Sequence, residues 1–155
     1  MKPITVLLAE DHMIVREGLR VLLAADIGIK VVGEAETGRQ AVQMTKKLRP
    51  AVVLMDIAMP QLNGLEATRQ ILKAVPATRV LILSAHNDDE YLRQVIHLGA
   101  AGYLIKQTSA DLLSEAIRTI HNGQKYFSPT VAKRLRLLHL YPSIEAEVLK
   151  KTKAV

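Results

Sequence analysis

Cysteine is absent from the 155 residues, so neither a disulfide nor a thiolate metal site holds this fold together. A reducing compartment agrees with that absence, and the expected location is the cytoplasm. Tryptophan is absent too, and aromatic residues reach only 3%. The core must therefore come from Leu, Val, Ile, Ala and Met within the 49% of apolar residues. No apolar run approaches the roughly 18–20 residues of a membrane span. The N-terminus lacks the basic-then-apolar layout of a secretory signal. A soluble chain without a membrane partner is expected, long enough for one ordinary domain and a short appendage.

The net charge of +6 hints at nucleic acid until it is located. Residues 1–121 hold 14 Lys/Arg against 13 Asp/Glu, whereas residues 122–155 hold 7 against 2. The basicity thus belongs to the tail, and the first 121 residues are not expected to touch nucleic acid. The reading divides the chain into a folded domain, 1–123, and a basic, partly helical tail, 124–155.

Within the first part, short apolar runs alternate five times with segments of helical period. Ile4–Ala9 is the first strand. Asp11 can cap the helix that follows, with an apolar stripe of Val15, Leu19, Leu22 and Leu23. A second strand centres on Val31–Gly33. Thr37 and Gln40 have capping-box spacing ahead of Ala41, Met44 and Leu48. Pro50 stops that helix, Ala51–Met55 is a wholly apolar third strand, and Asn63 with Glu66 opens the next helix. Val80–Leu83 is strand four, Asn87 and Glu90 open helix four, and Gly99 ends it. Ala101–Ile105 is strand five, with Thr108 or Ser109 opening a fifth helix to about His121. Ser128–His139 can form one more helix, and Ile144–Lys151 has helix potential. Strands apolar on both faces fit a parallel sheet between helices. Five β–α units fit a doubly wound α/β sheet better than an eight-unit barrel.

In such a sheet chemistry gathers at the carboxyl ends of the strands. Strand one runs into Glu10 and Asp11, strand three into Asp56, strand four into Ser84 and strand five into Lys106. Three carboxylates in one shallow pocket repel unless neutralised, and magnesium, a hard ion taking oxygen ligands, suits them. Lys106 adds fixed positive charge and Ser84 a hydroxyl donor. Those parts suit phosphoryl transfer with Asp56 as the nucleophile.

Together with Tyr103, this set resembles the signature of the receiver domains of two-component response regulators. Asp56-Ile-Ala-Met59-Pro60-Gln-Leu-Asn-Gly64 matches their D-x-x-M-P-x-x-x-G pattern. Gly102-Tyr-Leu-Ile-Lys106 and Gly123-Gln-Lys-Tyr-Phe-Ser-Pro129 resemble the NarL/FixJ subgroup, whose output domains are LuxR-type. The resemblance covers about residues 3–135. It implies a flavodoxin-like five-stranded sheet of order 2-1-3-4-5. It also implies magnesium held by Asp11, Asp56 and the main-chain carbonyl of Ala58, with Glu10 acting through water. Ser84 and Tyr103 would form a switch pair, the ring turning inward on phosphorylation and repacking the surface of helix four, strand five and helix five. The implied partners are a sensor histidine kinase, a second copy in a homodimer, and DNA only through a helix-turn-helix domain absent from these 155 residues. The chain would catalyse only its own phosphorylation and dephosphorylation. Gln107 departs from the Pro or Asp common after the lysine, which puts a cis peptide there in doubt.

Each residue also has a bland role. Asp11 is a common helix cap, Ser84 a strand-end hydroxyl, Lys106 a solvated charge and Tyr103 a strand aromatic. His86 reads as an exposed loop residue, although its family position can influence phosphoryl lifetime. His12 reads as a helix-start residue and not as a metal ligand. Asp56 resists such a reading, because it ends an apolar strand where an isolated charge is costly. One rival is a haloacid-dehalogenase-like phosphatase, which needs a second Asp where Ala58 stands. The other is a pseudo-receiver, which usually lacks the aspartate, the acidic pair or the lysine.

Overall fold

A computed structural model describes residues 2–85, 89–106 and 110–140. His86, Asn87, Gln107, Thr108 and Ser109 lie outside the described residues, as does everything from residue 141 onward. The expected caps of helices four and five, the Lys106–Gln107 peptide and the helix potential of Ile144–Lys151 fall there.

The strands are β1 (Ile4–Ala9), β2 (Ile29–Ala35), β3 (Val52–Asp56), β4 (Arg79–Ser84), β5 (Gly102–Ile105) and β6 (Tyr126–Phe127). The helices are α1 (Met13–Ala24), α2 (Gly38–Leu48), α3 (Gly64–Ala74), α4 (Asp89–Leu98), α5 (Ala110–His121) and α6 (Pro129–Leu137). All strand pairs are parallel, in the order β2-β1-β3-β4-β5-β6. The doubly wound order 2-1-3-4-5 is therefore present, with one short strand added beyond β5.

Alternation along each strand divides the core into two layers. Val6, Leu8, Val52, Leu54, Leu81, Leu83 and Leu104 face α1 and α5, meeting Leu19, Leu23, Leu113 and Ile117. Leu7, Val53, Met55, Val80, Ile82 and Tyr103 face the other way, toward Val42 of α2, Ile71 of α3, Leu92 of α4 and Val131 of α6. Both faces are covered, which is why the strands read as continuous apolar runs.

Local chemistry sets the helix ends. The Thr37 hydroxyl accepts from Gln40 N at 3.1 Å, while Gln40 Oε1 accepts from Glu36 N at 2.8 Å. Asn63 Oδ1 accepts from Glu66 N at 2.9 Å. Each such cap is worth about 1 kcal/mol. Asp11 does not cap α1. His12 holds that position without a side-chain cap bond, because the carboxylate of Asp11 is turned to the strand-end cluster. Val15 and Leu22 of the expected stripe are exposed, and only Leu19 and Leu23 of α1 enter the core.

The segment after Gly123 docks on the sheet. Read in the sequence as the start of a basic, partly helical tail, it places Tyr126 and Phe127 beside Gly102 and Tyr103 of β5. Val131 and Leu135 of α6 are fully buried in the core layer that holds Tyr103. The sheet edge that β5 would expose is thereby covered. Gly102 permits the pairing, since a Cβ there would lie 2.3 Å from the carbonyl oxygen of Tyr126. Arg134 of α6 also forms a bidentate pair with Asp89 at the start of α4, both bonds 2.8 Å.

Candidate functional site

Three parallel neighbours, β1, β3 and β4, end beside one another, and β5 ends beyond β4. Their last residues deliver the predicted groups to one rim. Glu10, Asp11, His12 and Asp56 offer ligand atoms within 4.8 Å of one another. Lys106 Nζ reaches in from the end of β5, 2.8 Å from Glu10 Oε1 and 3.3 Å from Asp56 Oδ1. Ser84 lies buried at the end of β4, and its carbonyl accepts from Lys106 N at 2.9 Å.

The loop after β3 is built to hold Asp56. Ala58 N approaches Asp56 Oδ1 at 3.4 Å, Met59 N donates to Ile57 O, and Gly64 N donates to the same carbonyl at 2.8 Å. Gly64 has no room for a side chain, because a Cβ would sit 2.1 Å from Asp56 O and 2.7 Å from Ile57 Cα. The glycine eight residues past the aspartate thus lets α3 start directly against the strand end.

Burial and charge act oppositely on the two innermost carboxylates. Asp56 is 3% exposed. Its burial, then the charge of Glu10, push its carboxyl up to about 6 against the pull of Lys106. Burial works the same way on Glu10, but Lys106, the His12 main-chain N–H and Asp11 outweigh it and hold that carboxyl at about 2. Burial would lower Lys106, yet Glu10 and Asp56 together raise it, so it stays a firm cation. Asp56 Oδ2 is buried without a hydrogen-bond partner among the described residues. An orphaned carboxylate oxygen facing further carboxylates is a site that fits a hard divalent cation.

Tyr103 lies within β5. Its ring is fully buried, in the layer shared with α4 and α6. His86 lies outside the described residues. The sequence reading missed Arg16 at the rim and gave His12 only a helix-start role. Arg16 donates from Nη1 to Glu10 O at 2.9 Å while Nε and Nη2 reach Glu34 and Glu36. His12 places Nδ1 3.2 Å from Glu10 Oε2 and 3.2 Å from Asp11 Oδ1. An arginine one turn into the helix after an acidic strand end was the available signal for the first. For the second, adjacency to two acidic residues was too common a pattern to signal anything. An open groove of about 670 Å³ between the end of α1 and α5 contains none of the predicted site residues.

Residues 6–118 match the model of the response regulator receiver domain. The chain belongs to that family. The receiver is 41% identical over 132 residues to the transcriptional regulatory protein DegU of Brevibacillus brevis, covering 85% of this chain and 56% of that one. It is 38% identical over 139 residues to the response regulator GacA of Pseudomonas aeruginosa, covering 90% and 65%. A crystal structure of a LuxR-family two-component response regulator from Aurantimonas superposes with a TM-score of 0.84 at 32% identity, covering 90% of this chain and 99% of that one. The resemblance to LuxR-type regulators read from the motifs is thus borne out. The chain spans between 56% and 65% of the length of the two curated relatives it matches here. No helix among the described residues is long and apolar enough to cross a membrane.

Proposed function

We propose that this receiver accepts a phosphoryl group on Asp56 from a sensor histidine kinase, in a magnesium-dependent reaction in the cytoplasm. The observation that carries the reading is Asp56 itself: a buried carboxylate with one orphaned oxygen, and Lys106 3.3 Å from the other. An oxygen of Asp56 bonds to phosphorus as the phosphorus–nitrogen bond to the kinase histidine breaks, the imidazole leaving with the bonding pair. Lys106 offsets charge on the phosphoryl oxygens, and its pairing with Glu10 fixes it there before the reaction starts. Magnesium, when bound, supplies the remaining positive charge at the phosphoryl oxygens. Asp11, Asp56 and the Ala58 carbonyl would hold it, with Glu10 acting through water.

Ser84 would turn its hydroxyl to the attached phosphoryl group. With Tyr103 it would bias two arrangements of the surface of α4, β5 and α5. That change would act on transcription through a C-terminal DNA-binding domain of the full-length protein, paired as a homodimer on two half-sites. The chain turns over no external substrate in this reading, acting only on its own phosphoryl group.

Intact-mass spectrometry after incubation with acetyl phosphate tests it. The native chain should gain one phosphoryl group only with magnesium present, and Asp56→Asn should gain none. A native chain that binds magnesium and stays unmodified by both acetyl phosphate and kinase would overturn the proposal.

A further inference from the structure

We infer that the amino-terminal edge of the sheet is an interaction surface for the phosphate backbone of duplex DNA. The choice of DNA among polyanions rests on the function proposed above, whereas the surface itself stands on this chain's own charges. Residues 1–121 are close to neutral in sum, but the two ends of the sheet share that charge unequally. All strands are parallel and a helix returns between each successive pair. One end of the domain therefore collects the amino ends of the strands and the carboxyl ends of α1 to α5. The loops on that side are residues 25–28, 49–51, 75–78, 99–101 and 122–125. They contain one acidic residue, Asp26, and Arg118 is bonded to both of its carboxylate oxygens. Acids gather at the opposite end, where Glu10, Asp11, Glu36 and Asp56 stand at strand ends and Glu66 and Asp89 lie in first helical turns.

Cations line the acid-poor end strand by strand. In spatial order they are Lys30 in β2, Lys2 just ahead of β1, Arg49 ahead of β3, Arg79 opening β4, and Lys125 directly ahead of β6. Neighbouring strands lie about 4.8 Å apart, so the row extends roughly 24 Å along the six-stranded edge. To one side of it, Lys46 and Lys47 end α2 and Lys73 ends α3. Lys2, Lys30, Arg49 and the three helix-end lysines are exposed, and Arg79 is half-buried. None of these seven forms an ion pair among the described residues, whereas Arg16, Arg20, Arg69 and Arg118 all do.

A cation in a last helical turn answers the negative end of the helix dipole, which gives Lys46, Lys47 and Lys73 a local reason to be there. That reason does not reach Lys2, Lys30 or Arg79, which belong to strands or their approaches. Unpaired like charges on one side of a domain repel one another, and a polyanion relieves that repulsion. Duplex DNA carries one charge per about 1.7 Å of its axis, so a row of this length meets several phosphates at once. Contacts of this kind set affinity and position without reading base sequence. In the full-length protein the edge adds sequence-independent affinity to the site that the DNA-binding domain reads.

The test is fluorescence anisotropy of a labelled duplex of arbitrary sequence, titrated with the untagged 155-residue chain at salt from about 50 to 200 mM. One triple variant combines Lys30→Gln, Arg49→Gln and Arg79→Gln; a second combines Lys46→Gln, Lys47→Gln and Lys73→Gln. The two sets lie on different elements, so if one fails to fold the other still decides. Each should bind about tenfold or more weakly at low salt, and the slope of log affinity against log salt should shrink by roughly one per cation removed. A third triple, Lys150→Gln, Lys151→Gln and Lys153→Gln, should lose less than about threefold. Folded edge variants that bind as the native chain does, or a loss confined to the third triple, would overturn the surface. So would a native chain that binds no DNA at the lowest salt, including one that instead sediments with phosphatidylglycerol vesicles. Labelling by acetyl phosphate in the same samples tells the two readings apart. Normal labelling without DNA binding overturns the edge alone, whereas DNA binding through the edge in a chain that takes no phosphoryl group supports the edge and counts only against the phosphoacceptor.

Discussion

Lys106 Nζ lies closer to Glu10 than to Asp56, at 2.8 Å against 3.3 Å. The lysine thus secures the ionised form of Glu10 and leaves Asp56 only partly compensated. The carboxylate proposed to carry the chemistry is also the one whose charge the fold tolerates least.

Asp56→Asn should therefore stabilise the protein in metal-free buffer. Its carboxyl rises from 3.8 to about 6 in the fold, so ionisation costs stability as pH climbs through about 6, and none of that cost is present below 3.8. The gain should be on the order of 2 kcal/mol at pH 7.5 and fade toward pH 4. Urea unfolding with a chelator present measures it. A variant less stable than the native chain at pH 7.5 would contradict the account.

Gly64→Ala should damage both fold and site. The added methyl would meet Asp56 O at 2.1 Å, backbone that cannot swing aside as a side chain can. A cost of about 2–3 kcal/mol is expected, with slower labelling by acetyl phosphate because Asp56 must move. Unchanged thermal stability and labelling rate would show the loop to be slack.

At the far end of the sheet, Arg118 holds Asp26 through two short bonds of 2.5 and 2.6 Å. The guanidinium, with the Gly28 N–H, lowers that carboxyl to about 2. The sign is opposite to that of Asp56: the pair's stabilisation is complete above pH 3.8 and disappears as pH falls toward 2. Being open to solvent, it should be worth less than about 1 kcal/mol. Asp26→Asn should lower stability slightly at pH 6, with the difference from native shrinking at pH 3; a gap that widens in acid would refute it.

Leu135→Ala tests whether α6 belongs to the folded unit. The side chain is fully buried, so truncation should cost about 2–5 kcal/mol. Arg134→Ala, which breaks a more exposed pair with Asp89, should cost much less than Leu135→Ala. Should Leu135→Ala melt with the native protein, α6 would be a loosely attached tail.

Period and punctuation along the chain determined a good deal by themselves. Continuous apolar strands can only be buried on both faces, so the doubly wound sheet followed, and with it the rim that gathers Glu10, Asp11, Asp56 and Lys106. Thr37 and Asn63 were legible as caps because a cap is a contact three residues long. What depends on distant partners was not legible. The basic residues after Gly123 read as a solvated tail, yet their apolar neighbours find a place beside Tyr103 only once β5 and α4 exist. Asp11 offered two readings, helix cap and member of the rim, and the tertiary fold decided between them by turning its carboxylate to the cluster. The roles of His12 and Arg16 were decided in the same way. Their chemistry was written in the sequence, but Arg16 finds its use only where β1 and β2, paired side by side, bring Glu10, Glu34 and Glu36 around one guanidinium.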